Sequence, residues 1–332
     1  MPELIASPEG LRARSAALWL DAHRPTACSF VSHAHGDHIA RHLQTIATAP
    51  TLALLTARLG KPAAGLPVPY RRPFALGPLT LELFPAGHIL GSAQLLLTDR
   101  HGHRTLFTGD LNTARGRTAE PLEVARCDTL VMEATFGTPG QLFAPRATIE
   151  DELCAFVAAA LDAHETPVLL AYPLGKTQEV AHLLAERGFR VRLHASALRY
   201  LPTYEAAGFA FPGVTLLKGA PAQGDVLILP PSLRGSRKLA RLPHRSCALT
   251  GWAVAGGPPR WGADSAISLS DHADFDGLCA YASATGASEI LTLHGAAAAL
   301  AAALSRAGLA ATPLEPPTQL SLALGEAASQ SP

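Results

Sequence analysis

Apolar runs along the chain end repeatedly in short loops rich in Gly, His and Asp. Residues 28–32 run into His33, 105–108 into Gly109-Asp110, 129–132 into Glu133, 267–269 into Ser270, and 290–293 into His294. Short apolar runs rich in β-branched residues predict buried strands, and in open α/β sheets the functional groups sit outside the strand ends. The five loops are therefore expected to converge on one edge of a packed core. Residues 148–245 have a different texture. A helix near 149–164 is followed by a strand over 167–172 and a Gly-Lys turn, then by a helix near 177–187 with Gly188 as its C-cap and a strand over 190–194. This βαβ alternation predicts a small parallel-sheet domain. Candidate chemistry lies on both sides of it, so it reads as an insertion that divides the chain into 1–147, 148–245 and 246–332.

A length of 332 residues fits about two domains at roughly 150 residues each, or one large α/β unit carrying an insertion. With 48% hydrophobic and 16% charged residues the chain is not disordered and has ample material for a core. Its 27 Lys+Arg balance its 27 Asp+Glu, so any anion site must be local. No apolar run approaches the roughly 18 residues needed to cross a bilayer, so no membrane partner is expected. The N-terminus has no signal-peptide pattern. Five cysteines, widely spaced and in no CxxC arrangement, are expected to be buried free thiols in a reducing compartment, the cytoplasm.

The densest signal is Ser32-His33-Ala34-His35-Gly36-Asp37-His38, an HxHxDH element directly after a strand. Imidazole nitrogens and carboxylate oxygens are ligands of divalent metals, and four of them this close face a dinuclear site only from a tight turn. His88 and Asp110 add an imidazole and a carboxylate, each beside a glycine that lets the backbone turn tightly. His294, between Leu293 and Gly295, is the natural last ligand. Asp21, ahead of the motif in Trp19-Leu20-Asp21, reads either as a carboxylate that holds a ligand histidine in its tautomer or as a plain strand-end turn.

The series Asp21, His33/His35/Asp37/His38, His88 and Asp110 resembles the metallo-β-lactamase superfamily. Glu133-Ala134-Thr135-Phe136-Gly137, Ser270-Asp271-His272-Ala273-Asp274 and Leu293-His294-Gly295 resemble its nucleic-acid-processing branch, β-CASP. Within that branch the chain is most similar to bacterial ligase-associated DNA exonucleases. That similarity rests on 133–137, Leu174-Gly175-Lys176-Thr177-Gln178, Pro230-Pro231-Ser232, Thr250-Gly251-Trp252 and 270–274. The chain departs from that group at Leu111-Asn112, where an aromatic and a basic residue are usual.

The resemblance implies an α/β fold: a metallo-β-lactamase αββα sandwich with an inserted β-CASP-like domain, the substrate strand lying in the cleft between them. It implies two divalent ions, Zn²⁺ with Mn²⁺ or iron as alternatives. His33, His35 and His88 would hold one, Asp37, His38 and His294 the other, and Asp110 would bridge them. The implied reaction is hydrolysis of DNA phosphodiesters, exonucleolytic, in DNA repair, with a DNA ligase as functional associate. The same chemistry on RNA is one alternative, and ester or lactam hydrolysis on the same fold is another. Besides Asp37, the catalytic residues would be His272 and Glu133. His272 would protonate the leaving alkoxide, with Glu133 orienting it and favouring its charged form. The plainer reading makes His272 a hydrogen-bonded core histidine and Glu133 a turn cap.

For substrate grip, Lys176 at a strand-to-helix turn either faces a phosphate or is an exposed helix start. Ser232, Arg234 and Arg237 open a stretch, 232–250, that also carries Lys238, Arg241 and Arg245 and has no acidic residue. It is either a phosphate-tracking patch or a solvated basic loop. Phe136, Tyr172 and Trp252 are candidates for base stacking, with core packing as the alternative.

Overall fold

The computed structural model describes residues 3–7, 9–237, 239–255 and 259–314. The first sheet has the strands β1 (Leu4–Ser7), β2 (Gly10–Ala13), β3 (Trp19–Leu20), β4 (Cys28–Phe30), β5 (Gln44–Ala47) and β6 (Gly65–Pro67), in that spatial order. Next come β7 (Phe74–Leu76), β8 (Leu79–Pro85), β9 (Ala93–Thr98), β10 (Arg104–Phe107) and β11 (Thr129–Glu133). The chain then builds a third sheet from β12 (Thr166–Leu170), β13 (Arg190–Leu193), β14 (Thr215–Leu216), β15 (Asp225–Leu229), β16 (His244–Leu249) and β17 (Ser265–Ile267). It returns with β18 (Glu289–Leu293) and β19 (Ala311–Pro313) to complete the second sheet, in the order β19-β18-β11-β10-β9-β8-β7. Seven α-helices are described: α1 (Ala49–Leu59), α2 (Arg146–Asp162), α3 (Lys176–Glu186), α4 (Ala195–Leu198), α5 (Leu201–Ala206), α6 (Phe275–Thr285) and α7 (Ala297–Arg306).

The first two sheets face each other. Leu79, Leu81 and Leu83, alternate residues of β8, share one buried cluster with Leu95, Leu97, Phe107 and Val131 and with Leu4, Leu20, Phe30 and Ile46 of the first sheet. β9 is buried on both faces. Its Leu96 points the other way and packs with Leu106, Leu130, Met132 and Ile290 against Leu278 and Tyr281 of α6 and Leu300 and Leu304 of α7.

The third sheet is parallel throughout, in the order β14-β13-β15-β12-β16-β17, and its central strands β12 and β15 carry the apolar runs, 168–170 and 226–229, that two-sided burial demands. One face packs on α2, α3 and α5 in a cluster that continues into Leu54 and Leu55 of α1 and into Val31, Ile89 and Leu90 beside the histidine loops. The sheet runs on past residue 245, because β16 opens at His244 and β17 ends at Ile267. The polar start of β16, where Arg245 pairs with Glu165 at 2.7 Å, hides a strand whose apolar half is Cys247-Ala248-Leu249.

An ion-pair seam fastens the loop after Asp110 to these helices. Glu179 of α3 accepts Arg117 N at 2.6 Å and Thr118 N at 2.9 Å, and also pairs with Arg146 of α2. The Arg117 guanidinium takes both oxygens of Glu150, at 2.9 and 2.6 Å. Buried charges of this kind persist only when paired and hydrogen-bonded, as both glutamates are. All five cysteines are free, but only Cys127 and Cys247 are buried as expected; Cys28, Cys154 and Cys279 are half-buried.

Candidate metal centre and cleft

The five expected loops do meet. His35, Asp37 and His38 follow β4, Asp110 follows β10, Thr135 and Phe136 follow β11, Ser270–His272 follow β17 and His294 follows β18, and all line one cleft of about 610 Å³. The turns are tight enough to leave the common backbone region. Asp21 (φ 44°) and His294 (φ 61°) sit left-handed, a conformation that non-glycine residues keep mainly where function or packing imposes it. Gly109 (φ 55°) is required on steric grounds, since a Cβ there would stand 2.5 Å from Cβ of Ser32.

Hydrogen-bond partners fix which nitrogen of each imidazole carries a proton. His35 gives its Nε2–H to the Leu174 carbonyl (3.1 Å) and His88 its Nδ1–H to the Asp271 carbonyl (2.8 Å), because a carbonyl only accepts. Ser32 donates its hydroxyl to Asp21 (2.6 Å) and so accepts from His33 Nδ1 at 3.0 Å. The lone pairs left on His33 Nε2, His35 Nδ1 and His88 Nε2 therefore face inward. His35 Nδ1 and His88 Nε2 lie only 3.0 Å apart, and His33 Nε2 is buried with no hydrogen-bond partner. Asp110 Oδ2 stands 3.5 Å from His33 Nε2 and 3.7 Å from His88 Nε2. Converging lone pairs beside a carboxylate repel one another until a cation joins them, so this donor set fits a divalent metal. The donor atoms of His33, His35, His88 and Asp110 all lie within 4.8 Å of one another.

On the other side of Asp110, His38 gives Nδ1–H to Asp21 (2.8 Å) and turns Nε2 toward Asp110 (3.3 Å) and Asp37 (3.8 Å). The His294 ring is 6.2 Å from that of His38, and the Asp37 side chain is 81% exposed. Asp37, His38 and His294 thus stand on the far side of Asp110, with the Asp37 carboxylate open to solvent and His38 buried.

The electrostatics divide the imidazoles. Burial holds His33, His88, His35 and His294 below the ordinary histidine range, His33 and His88 far below, so all four remain neutral imidazoles, the form able to bind a metal. Burial would lower His38 too, but the carboxylates of Asp110 and Asp21 outweigh it and hold His38 well above its usual value. Asp110 stays far below the carboxylate range, with the neighbouring His38 and His272 overcoming its own burial. At His272 burial is again outweighed, by Glu133 and then Asp110, and its pKa is pushed up to about 9.

The remaining expected residues divide between the cleft and the outer edge. Lys176, the first residue of α3, lines the cleft but is buried and ion-paired to Asp271 at 3.1 Å. Ser232, Arg234 and Arg237 begin where β15 ends, on the same edge of the third sheet as Tyr172 and Trp252, and are not among the cleft-lining residues. Lys238 lies outside the described residues. Trp252 is 41% exposed at the cleft wall, its ring 4.8 Å from buried Phe136. Tyr172 is 52% exposed and lies 5.8 Å from the Trp261 ring. Sequence reasoning missed Arg58 and Arg199, both cleft-lining, because neither stands in a motif. It also missed Asp271, although the Ser270-Asp271-His272-Ala273-Asp274 motif supplies an acid of the charge Lys176 requires.

Two layers of strand ends around convergent imidazoles and a buried carboxylate define an α/β protein with a candidate metal centre at the floor of a cleft between a core and a parallel-sheet layer. The chain is similar to a probable DNA ligase of Opitutus terrae, 38% identical over 98% of this chain and 32% of that protein. It is also similar to an RNase J-like protein of Methanocaldococcus jannaschii (29% identical over 38% of this chain and 29% of that protein) and to RNase aCSPSF2 of Saccharolobus solfataricus (32% identical over 33% of this chain and 23% of that protein). The chain spans about a third or less of the length of these relatives. No family model matches it. With these relatives and this motif set, the chain belongs to the β-CASP nuclease branch of the metallo-β-lactamase superfamily. Among the described residues no helix is long and apolar enough to cross a membrane.

Proposed function

We propose that this protein is a dinuclear metal-dependent phosphodiesterase that degrades DNA from an end, in the cytoplasm and in functional association with a DNA ligase. The observation that carries the reading is the inward-facing donor set of His33, His35, His88 and Asp110 with the His272–Glu133 pair beside it. His272 holds Nδ1 3.1 Å from Glu133 and Nε2 3.9 Å from Asp110 Oδ2. Similarity over 98% of the chain to a protein named as a probable DNA ligase favours DNA. The face-to-face sheets are read as the αββα sandwich, and the parallel layer between β11 and β18 as the inserted lobe.

His33, His35 and His88 would hold one ion and Asp37, His38 and His294 the other, with Asp110 between them and Asp21 orienting His38. Two divalent ions, Zn²⁺ or else Mn²⁺ or iron, would supply an acidified water and charge neutralisation at the phosphate. The protein's own residues do the rest. Asp37, exposed at the mouth, meets substrate and solvent. Glu133, buried, accepts Leu111 N–H at 2.6 Å and so cannot turn away from His272. His272, kept protonated, delivers its Nε2 proton to the leaving oxygen. Arg58 and Arg199 would grip phosphates in the cleft and Ser232, Arg234 and Arg237 further along the edge, whereas Lys176 is buried and held by Asp271; Trp252, seated on Phe136, offers a face to a base.

The test is incubation of end-labelled single- and double-stranded DNA and RNA with Zn²⁺ or Mn²⁺, with His33→Ala as control. Metal-dependent shortening of DNA from one end, lost in the variant, is expected. Exclusive cleavage of RNA would replace DNA with RNA as substrate, a reading the RNase-named relatives favour. Intact phosphodiesters with cleavage of a generic ester would refute the nuclease assignment.

A further inference from the structure

The two carbonyls that fix the tautomers of His35 and His88 both come from the parallel-sheet layer. Leu174 lies between β12 and α3, and Asp271 follows β17. Neither residue belongs to the donor group His33, His35, His88 and Asp110. Each carbonyl is held in place. Gly175 N–H is bound by Gln178 Oε1 at 2.8 Å, and Gln178 Nε2 reaches Pro173 O at 3.0 Å and Ala197 O at 3.2 Å, so the Leu174 turn is pinned from both sides. Gly175 (φ 86°) presses on the neighbour of His88, since a Cβ there would stand 2.4 Å from Ile89 Cγ2. Asp271 is anchored by its side chain, whose Oδ2 takes the Lys176 ammonium at 3.1 Å, both groups being buried. Lys176 immediately follows Gly175, so a single ion pair joins the segment that holds His35 to the segment that holds His88.

We propose that Lys176 and Asp271 form a positioning pair through which the parallel-sheet layer sets the divalent-metal affinity of the His33/His35/His88 group. The inference rests on the metal-centre reading above and deepens it. Outer hydrogen-bond partners of ligand histidines fix ring orientation and are commonly worth about 10- to 100-fold in metal affinity. Simple charge predicts something different. An ammonium near a cation site weakens binding and a carboxylate strengthens it, so on charge alone removing Lys176 would tighten metal binding and removing Asp271 would loosen it. Positioning predicts that both removals loosen it, and that the two losses do not add, because either one breaks the same link.

The experiment is calorimetric titration of the metal-free full chain with Zn²⁺, and separately with Mn²⁺, in the absence of nucleic acid. It compares the parent protein with Lys176→Met, Lys176→Arg, Asp271→Asn, the Lys176→Met/Asp271→Asn double variant and His33→Ala, and thermal melts report folding. About a 10- to 100-fold loss of affinity is expected for Lys176→Met and for Asp271→Asn, no further loss in the double variant, and near-parent affinity for Lys176→Arg, which keeps the ion pair. Unchanged or tighter binding by Lys176→Met overturns the proposal, as does full additivity. If Lys176→Met does not fold, Lys176→Arg and Asp271→Asn decide, and parent affinity in Asp271→Asn overturns it. A parent protein that binds no metal, or binds it equally well as His33→Ala, instead refutes the metal-centre reading itself. A role of Lys176 confined to gripping a phosphate would bring no loss of affinity in the Lys176→Met titration, and so overturns the proposal.

Discussion

His272 places its Nδ1 3.1 Å from both carboxylate oxygens of Glu133, which is 1% exposed. A buried carboxylate that chelates one imidazole N–H leaves the other nitrogen as the only end able to deliver a proton, and that end faces Asp110 and the cleft. Replacing His272 with Ala is therefore expected to cut turnover about 10²- to 10⁴-fold with metal content unchanged. Turnover within a few-fold of the parent, or loss of bound metal, sinks the assignment.

The same pair sets a pH dependence. A general acid works in its protonated form, so with His272 in the proposed role activity is expected below its pKa and should be lost as pH rises through it. That pKa is about 9 with Glu133 and Asp110 both charged. Cations bound at Asp110 cancel part of its raising effect, so the alkaline limb of the rate profile should fall at or below 9. Glu133→Gln removes the largest raising influence and should move that limb down by about one unit or more. An alkaline limb that stays fixed in Glu133→Gln would separate it from His272.

Among the described residues Asp110 is the one carboxylate that faces the imidazoles of His33, His38, His88 and His272 together. Asp110→Asn is expected to lower metal content at both positions, read by elemental analysis of the dialysed protein, and to abolish the metal-dependent rise in Tm. Retention of full metal content and activity would refute a bridging role.

Gly109 is predicted to tolerate no side chain. Gly109→Ala carries a left-handed backbone penalty and drives a methyl into Ser32, whose hydroxyl links Asp21 to His33. A loss of about 1–3 kcal/mol is expected, visible as a fall in Tm by calorimetry, together with weaker metal binding. A variant that melts with the parent contradicts the packing described here.

Trp252 is expected to act on substrate alone. Base–aromatic stacking is worth about 1–3 kcal/mol per base, so Trp252→Ala should weaken single-strand binding about tenfold or more with metal content unaltered. Fluorescence anisotropy with a labelled oligonucleotide reads this directly, and unaltered affinity would assign Trp252 to packing on Phe136.

The site was more legible in the sequence than the architecture that surrounds it. HxHxDH, Gly-His, Gly-Asp and His-Gly each combine a ligand with the turn that aims it, so their convergence could be foreseen from strand-end placement alone. The strand over Ser265–Ile267 was misplaced toward 267–269, because apolar Leu269 prolongs the run after the ladder has ended. Lys176 shows what one-dimensional reading cannot supply. A lysine at a helix start looks like an anion contact until the fold brings Asp271, 95 positions away, against its ammonium. Charge pairing across such distances has no local signature, and the Arg117–Glu150 and Arg146–Glu179 seam was invisible for the same reason.

The free cysteines have a practical consequence for zinc chemistry. Burial pushes Cys127 and Cys247 up to about 11 and raises Cys28, Cys154 and Cys279 as well. Sulfur competes for metal and reacts with oxidants as thiolate, and at neutral pH these residues remain thiols. Little thiolate is therefore available near neutral pH to draw zinc away from the histidine cluster during a titration.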